Sequence, residues 1–161
     1  ANYDINLGHE YGAGNNEFAT IDTNLSVNTW YHLAAVRDIS ENSWTLYVNG
    51  VAKTPYTYTN QATGGDLSEL QIARAGTTVS YNGNIDEISI FNSVKSTADI
   101  VSIYNSGTPT DLSGESNLVG YWRNGDTAGA SVYPTIEDYS SNSNDGTMTN
   151  MDSGDIVTVV P

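Results

Sequence analysis

The sequence predicts an all-β fold, a two-sheet antiparallel β-sandwich with one short peripheral helix. Three observations carry that reading. About ten short segments alternate apolar and polar residues with a period of two, and they recur at near-regular spacing. Asn, Ser and Thr make up roughly a third of the 161 residues and Tyr occurs 11 times, a composition suited to pleated surfaces joined by tight turns. A single segment carries a helical stripe, and no internal repeat period appears that would favour an eight-bladed or barrel alternative.

Taken in order, Tyr3-Asp4-Ile5-Asn6-Leu7 reads as a short strand ending at Gly8, and Glu17-Phe18-Ala19-Thr20-Ile21 as a second. Thr29 to Arg37 is the longest run. Trp30, His32, Ala34 and Val36 share one face and Tyr31, Leu33, Ala35 and Arg37 the other, so a central strand is expected. Trp44 to Val48 follows, then Asn49-Gly50, the pair that a type I′ hairpin turn demands because both residues tolerate positive φ. Val51 to Thr59 is the return strand, with Pro55 at an edge or bulge because it cannot donate to a ladder. Strands are also expected at 70–73, 84–91 and 118–123, and a last strand or tail at 156–160. The helix spans 97–105: Ser96 caps it with Asp99 three residues on, Ile100, Ile103 and Tyr104 form its stripe, and Gly107 is its C′ residue.

Composition excludes several functions. Five Lys and Arg against 19 Asp and Glu give a formal charge of −14, which argues against a nucleic-acid groove or an anionic membrane. With no Cys, disulfides and thiolate zinc sites are ruled out. No apolar run approaches the roughly 20 residues of a membrane-spanning helix, and the polar opening Ala1-Asn2-Tyr3-Asp4 is not a signal peptide. A content of 38% apolar and 10% aromatic residues separates the chain from disordered ones.

At Asn28-Thr29-Trp30-Tyr31-His32-Leu33-Ala34-Ala35-Val36-Arg37, followed by Trp44-Thr45-Leu46-Tyr47-Val48-Asn49-Gly50, the sequence resembles the laminin-G-like modules of the concanavalin A-like lectin/glucanase superfamily. A third block, Gly83 to Phe91, is similar to their Gly-x-Ile-Asp-Glu-Val strand, and Tyr104-Asn105-Ser106-Gly107 to the end of their short helix. The resemblance covers roughly residues 20–107 and implies a concanavalin A-like jelly roll. Leu118 to Arg123 and Asp138 to Thr147 resemble segments that usually open such a module, yet here they close the chain. Residues 1–161 are therefore expected to form one sandwich, either a fragment of a longer array or a permuted module with 118–160 completing the sheets. The ending resembles modules of bacteriophage tail and surface proteins, which implies an extracellular, cell-surface or virion-surface location.

The implied function is non-catalytic recognition of a carbohydrate or glycoconjugate, calcium-assisted, with neighbouring modules as further partners; the alternative is a structural or adhesive spacer. Tyr47, Tyr56 and Tyr58 are the candidate sugar platform on the outer face of the hairpin, with ordinary cross-strand pairing as the competing reading. For calcium, Asp138, Asn142 and Asp145 offer oxygens at near-alternate positions, beside Ser140 and Asn144. The loop is no EF-hand, since Ser143 stands where the Gly belongs; Asx-turns are the alternative. The resemblance implies Asp86 as a further ligand. Hydrolysis is not expected: a retaining glycosidase needs two carboxyls about 5 Å apart, and on an extended 84–88 no second acid shares the face of Asp86. His32 reads as a structural residue, His9 as part of a Gly-rich loop, and no Ser sits in a nucleophile elbow.

Overall fold

Two extended strands open the chain. The computed structural model describes residues 3–12, 14–61, 70–75, 79–124, 131–157 and 161. β1 (Tyr3–Gly12) and β2 (Asn15–Leu25) pair antiparallel, longer than their sequence cores suggested because the alternation continues through polar residues. His9, expected in a loop, lies inside β1. Along the hairpin Ile5, Leu7 and His9 face inward with Ala19, Ile21 and Thr23, while the intervening residues are exposed.

β3 (Leu33–Asp38), β4 (Ser43–Val48), β5 (Val51–Ala52) and β6 (Tyr56–Thr57) form a second antiparallel sheet. Asn49 and Gly50 take φ of 51° and 75°, the two positive values a type I′ turn needs, and set Val48 opposite Val51. The return strand is split around Pro55, as its missing N–H requires. The expected central strand is shorter and less buried. β3 begins at Leu33, which is 45% exposed, and ends the sheet order among the described strands. His32 stays outside the strand because Asn49 binds it twice: His32 N–H donates to Asn49 Oδ1 at 2.9 Å, and Asn49 N–H to His32 O at 2.9 Å. Two apolar faces mark a strand; its place in the sheet depends on partners remote in sequence.

α1 (Thr97–Tyr104) belongs to the same unit, which comprises 1–66 and 94–110. Ser96 and Asp99 complete the capping box, with Ser96 N–H donating to Asp99 Oδ2 at 2.8 Å and Asp99 N–H to Ser96 Oγ at 3.2 Å. Ile100 is buried and Ile103 and Tyr104 are half-buried, the expected stripe. The helix ends at Asn105, left-handed at φ 42°, two residues before the expected Gly107.

The second unit comprises 67–93 and 111–161. It holds β7 (Arg74–Ala75) paired with β8 (Val79–Ser80), β9 (Ile88–Phe91) paired with β10 (Leu118–Trp122), and the small meander β11 (Ser131–Val132), β12 (Thr135–Ile136) and β13 (Gly146–Thr147). Residues 70–73 are not a strand, and the expected strand 84–91 shortens to β9 because Glu87 sits at φ 52°, incompatible with extension. The pairing of β10 with β9 brings part of the closing third of the chain beside the third resemblance block. Of the expected last strand, 156–157 are irregular and 158–160 lie outside the described residues.

Candidate functional site

The outer face of the β1–β2 hairpin combines an exposed ring with polar neighbours. Register sets Asn6 opposite Thr20, Gly8 opposite Phe18 and Glu10 opposite Asn16, successive rungs about 7 Å apart. Phe18 is 60% exposed. Gly8 has no side chain for a physical reason: a Cβ there would lie 2.4 Å from Phe18 Cβ and 2.3 Å from Glu17 O. The ring is thus an apolar surface on an otherwise polar strand face. Thr20 Oγ1 donates to Asn6 Oδ1 at 2.8 Å, holding the next rung in place.

The inner face ties this hairpin to the second sheet. Glu17 Oε1 accepts from Thr59 N–H at 2.8 Å, and its Oε2 from Asn60 N–H at 3.0 Å and Asn60 Nδ2 at 3.1 Å. Those bonds, the Thr59 and Asn60 backbone donors foremost, lower the Glu17 carboxyl to about 2. His9 bridges too. Its Nδ1 accepts from Trp44 Nε1 at 3.2 Å and its Nε2 lies 2.7 Å from Asn60 O, so a neutral ring protonated on Nε2 satisfies both.

Of the three tyrosines expected to form a platform, Tyr47 and Tyr58 are buried and Tyr56 is half-buried. Tyr47 is 6% exposed and its hydroxyl meets Thr97 Oγ1 at 3.1 Å. Tyr58 is 3% exposed, edge-on to His9 at 4.6 Å, with the Arg37 guanidinium 5.3 Å from its ring centre. Tyr56 is half-buried, and desolvation together with the Glu17 carboxylate raises its phenol. A sugar approaching from solvent meets Tyr56 at most. Phe18 carried a signal that the sequence reading passed over: an aromatic in phase with Asn16, Thr20 and Asp22 on the polar side of its strand.

In the second unit, Asp138 is buried and accepts four bonds. Oδ1 takes Tyr121 N–H and Ser140 N–H at 2.8 Å each; Oδ2 takes Asn144 N–H at 2.7 Å and Ser140 Oγ at 2.8 Å. Burial alone would raise this carboxyl, but the Ser140, Tyr121 and Asn144 backbone donors outweigh it and hold it below its ordinary value. Asp145 Oδ1 caps Asp138 N–H at 2.9 Å, and Asn142 turns its amide nitrogen to Val119 O at 3.0 Å. Asp86 Oδ1 accepts from Glu87 N–H at 3.1 Å. These residues do not fit a calcium ion as they stand. The acceptor positions of Asp138 are filled by N–H and O–H donors, and among the described residues no three His, Asp or Glu side chains are grouped to hold a metal.

Nearby, Glu87 is held by the Tyr121 hydroxyl and by Arg123, whose Nε lies 3.4 Å from Glu87 Oε1. Burial, then the Glu87 bond, pushes the Tyr121 phenol up. The backbone at 84–87 is not strand, so the alternation that separated Asp86 from other acids does not apply there. What the structure adds is that the Glu87 carboxylate is already paired.

These features define a mostly β protein of antiparallel sheets with, among the described residues, one short α-helix and an exposed aromatic on a polar strand face. The profile of a laminin G family, described as the concanavalin A-like lectin/glucanases superfamily, matches residues 1–101, and the chain belongs to that family. Among solved structures it is similar to a Bacteroides ovatus ATCC 8483 protein provisionally described as carbohydrate binding, with a TM-score of 0.64 and 20% identity over 81% of this chain and 37% of that one. It is also similar to an S-layer domain-containing protein of Clostridium thermocellum ATCC 27405, with a TM-score of 0.45 and 21% identity over 63% of this chain and 51% of that one. The chain thus spans 37% of the length of the Bacteroides protein, and identity at that level shows the fold alone. No curated protein matches the chain.

Proposed function

We propose that this chain is a non-catalytic carbohydrate-binding module, with its strands arranged as a concanavalin A-like sandwich and Phe18 as the ring on which a pyranose stacks. The observation that carries this reading is the 60% exposure of Phe18 on a face otherwise made of amides, a hydroxyl and carboxylates. A flat ring offers an apolar surface to sugar C–H groups, while fixed polar neighbours pair with hydroxyls that would otherwise be desolvated unpaired. Membership of a lectin and glucanase superfamily and the likeness to the Bacteroides protein support it. Affinity of one module would be weak, so avidity from neighbouring modules fits an extracellular or surface location.

The spacer reading has one specific observation in its favour, the burial of Tyr47 and Tyr58 within the packing. A glycan array, probed with the wild-type chain and with Phe18→Ala, separates the two. Binding is expected on a subset of glycans and should fall by about tenfold or more in the variant, the size of one lost stacking contact. Uniformly blank spots for the wild type establish the spacer.

A further inference from the structure

In the first unit a cavity of about 510 Å³ opens between the Asn49–Gly50 turn and the C-terminal end of α1. That volume falls within the roughly 300–1,000 Å³ of small-ligand sites. Two apolar side chains line it without cover: Val51 is 66% exposed and Val101 50%. Tyr104, also in the lining, is held in place. The His32 ring lies 5.6 Å from its ring, and Gly50 passes so close that a Cβ there would sit 3.0 Å from Tyr104 Cδ1. The polar lining has unused capacity. Asn49 spends Oδ1 on His32 N–H, and its Nδ2 has no partner among the described residues. Asn105 spends Nδ2 on Thr108 O at 3.2 Å, and its Oδ1 has none. The hydroxyls of Ser102 and Ser106 likewise have no partner among the described residues. No lining side chain is charged, in a chain whose formal charge is −14. At the rim, Asn105 and Ser106 take φ of 42° and 58°, a left-handed conformation that costs free energy at each non-glycine residue.

We infer that this cavity is a second sugar site, sharing no residue with the Phe18 face, and that its ligand is a neutral pyranose. The ligand class rests on the reading of the chain as a carbohydrate-binding module; the cavity itself does not need Phe18. A pyranose brings an apolar C–H surface for Val51, Val101 and Tyr104, and hydroxyls that both donate and accept. Those hydroxyls match what the lining leaves open: N–H donors on Asn49, an acceptor on Asn105, and the hydroxyls of Ser102 and Ser106, which do both. Every polar group covered by the sugar can thus be paired. A uronate or sulfated sugar would bring a charge to a lining that holds no cation to pair with it. An apolar peptide side chain would cover the valines but leave the amides and hydroxyls desolvated without partners. Two sugar sites on one module add avidity on a polysaccharide surface.

The test is an amide NMR titration with neutral trisaccharides of glucose, galactose and mannose, with trigalacturonate as the charged probe and N-acetyl-leucine amide as the peptide probe. Three proteins are compared: wild type, Phe18→Ala, and the double variant Ser102→Ala with Ser106→Gly. The double variant removes both hydroxyls while raising helix propensity at 102 and relieving the backbone at 106, so it keeps the fold. Wild type is expected to show saturable shifts of the Asn49 side-chain amide, of Gly50 and of residues 102–106 with a neutral sugar, and about tenfold weaker binding of trigalacturonate there. The double variant should weaken binding at these signals by about tenfold, the size of two neutral hydrogen bonds, and leave the shifts around Phe18 within about twofold. Phe18→Ala should do the reverse. Sugar shifts around Phe18 with none at the cavity overturn this inference and leave the Phe18 reading standing. Cavity shifts with none around Phe18 keep this inference and overturn that reading. Cavity binding that survives the double variant unchanged, or that trigalacturonate or N-acetyl-leucine amide matches in strength, shows that the neutral-sugar assignment is wrong. Shifts at neither place remove both sites.

Discussion

Two regions of similar composition use their polar groups in opposite ways. The loop around Asp138 and the outer face of β1–β2 are both rich in Asp, Asn, Ser or Thr. In the loop every oxygen of the buried carboxylate is matched to a donor from β10 or from the loop itself. On the hairpin the carboxylates are exposed and half used, and an aromatic stands among them without cover. The contrast teaches that polarity alone does not mark a binding site. Saturated polar groups hold a backbone in place; groups with unused capacity beside an apolar surface can take a ligand.

The largest effect that would break this comparison lies in the loop. Asp138→Ala should destabilise the chain by about 3 kcal/mol or more, because it orphans several donors around a buried site. Urea unfolding measures it, and an unchanged midpoint would show that the loop is not held by this carboxylate. Next comes acid. Glu17 is lowered in the fold from 4.5 to about 2, so its contribution is complete above the ordinary value and is lost as pH falls through about 2. Melting temperatures from neutral pH down to about 2 should drop more steeply in wild type than in Glu17→Gln, which starts lower; parallel curves would mean that the Thr59 and Asn60 bonds do not matter.

Smaller still is the effect of Phe18→Ala on stability. A ring this exposed buries little, so melting should move by under about 1 kcal/mol while binding falls. A large loss of stability would turn Phe18 into a packing residue. The smallest effect expected is that of a calcium chelator on the melting temperature, namely none, since a ligand shifts stability only by binding the native state and the Asp138 oxygens are taken. A clear drop with chelator would reinstate Asp86, Asp138, Asn142 and Asp145 as ligands.

Local chemistry was legible in the residues. Asn49-Gly50 reads as a type I′ turn because only such residues tolerate two positive φ values, and Ser96 with Asp99 reads as a cap because both bonds close within one helical turn. Asx-turns at Asp138 were one of the two readings of that loop, and the structure contains one in the bond from Ser140 N–H. Harder to read was any feature set by a distant partner. The exposed side of β3 and the shortening of β9 at Glu87 depend on pairing and on backbone strain that alternation does not encode. The burial of two tyrosines was hidden for the same reason: Tyr47 finds Thr97 fifty residues away, and Tyr58 finds His9 on β1.

The sequence by itself determined the β character, the turn, the helix and its cap, the acidic charge and the family resemblance. Each rests on dihedral preference, spacing or composition, quantities that a short stretch of chain carries with it. Only the tertiary structure decided which polar and aromatic groups are spent and which remain exposed. That depends on how many donors and how much apolar surface arrive from elsewhere in the chain, and a residue's own neighbours do not specify it.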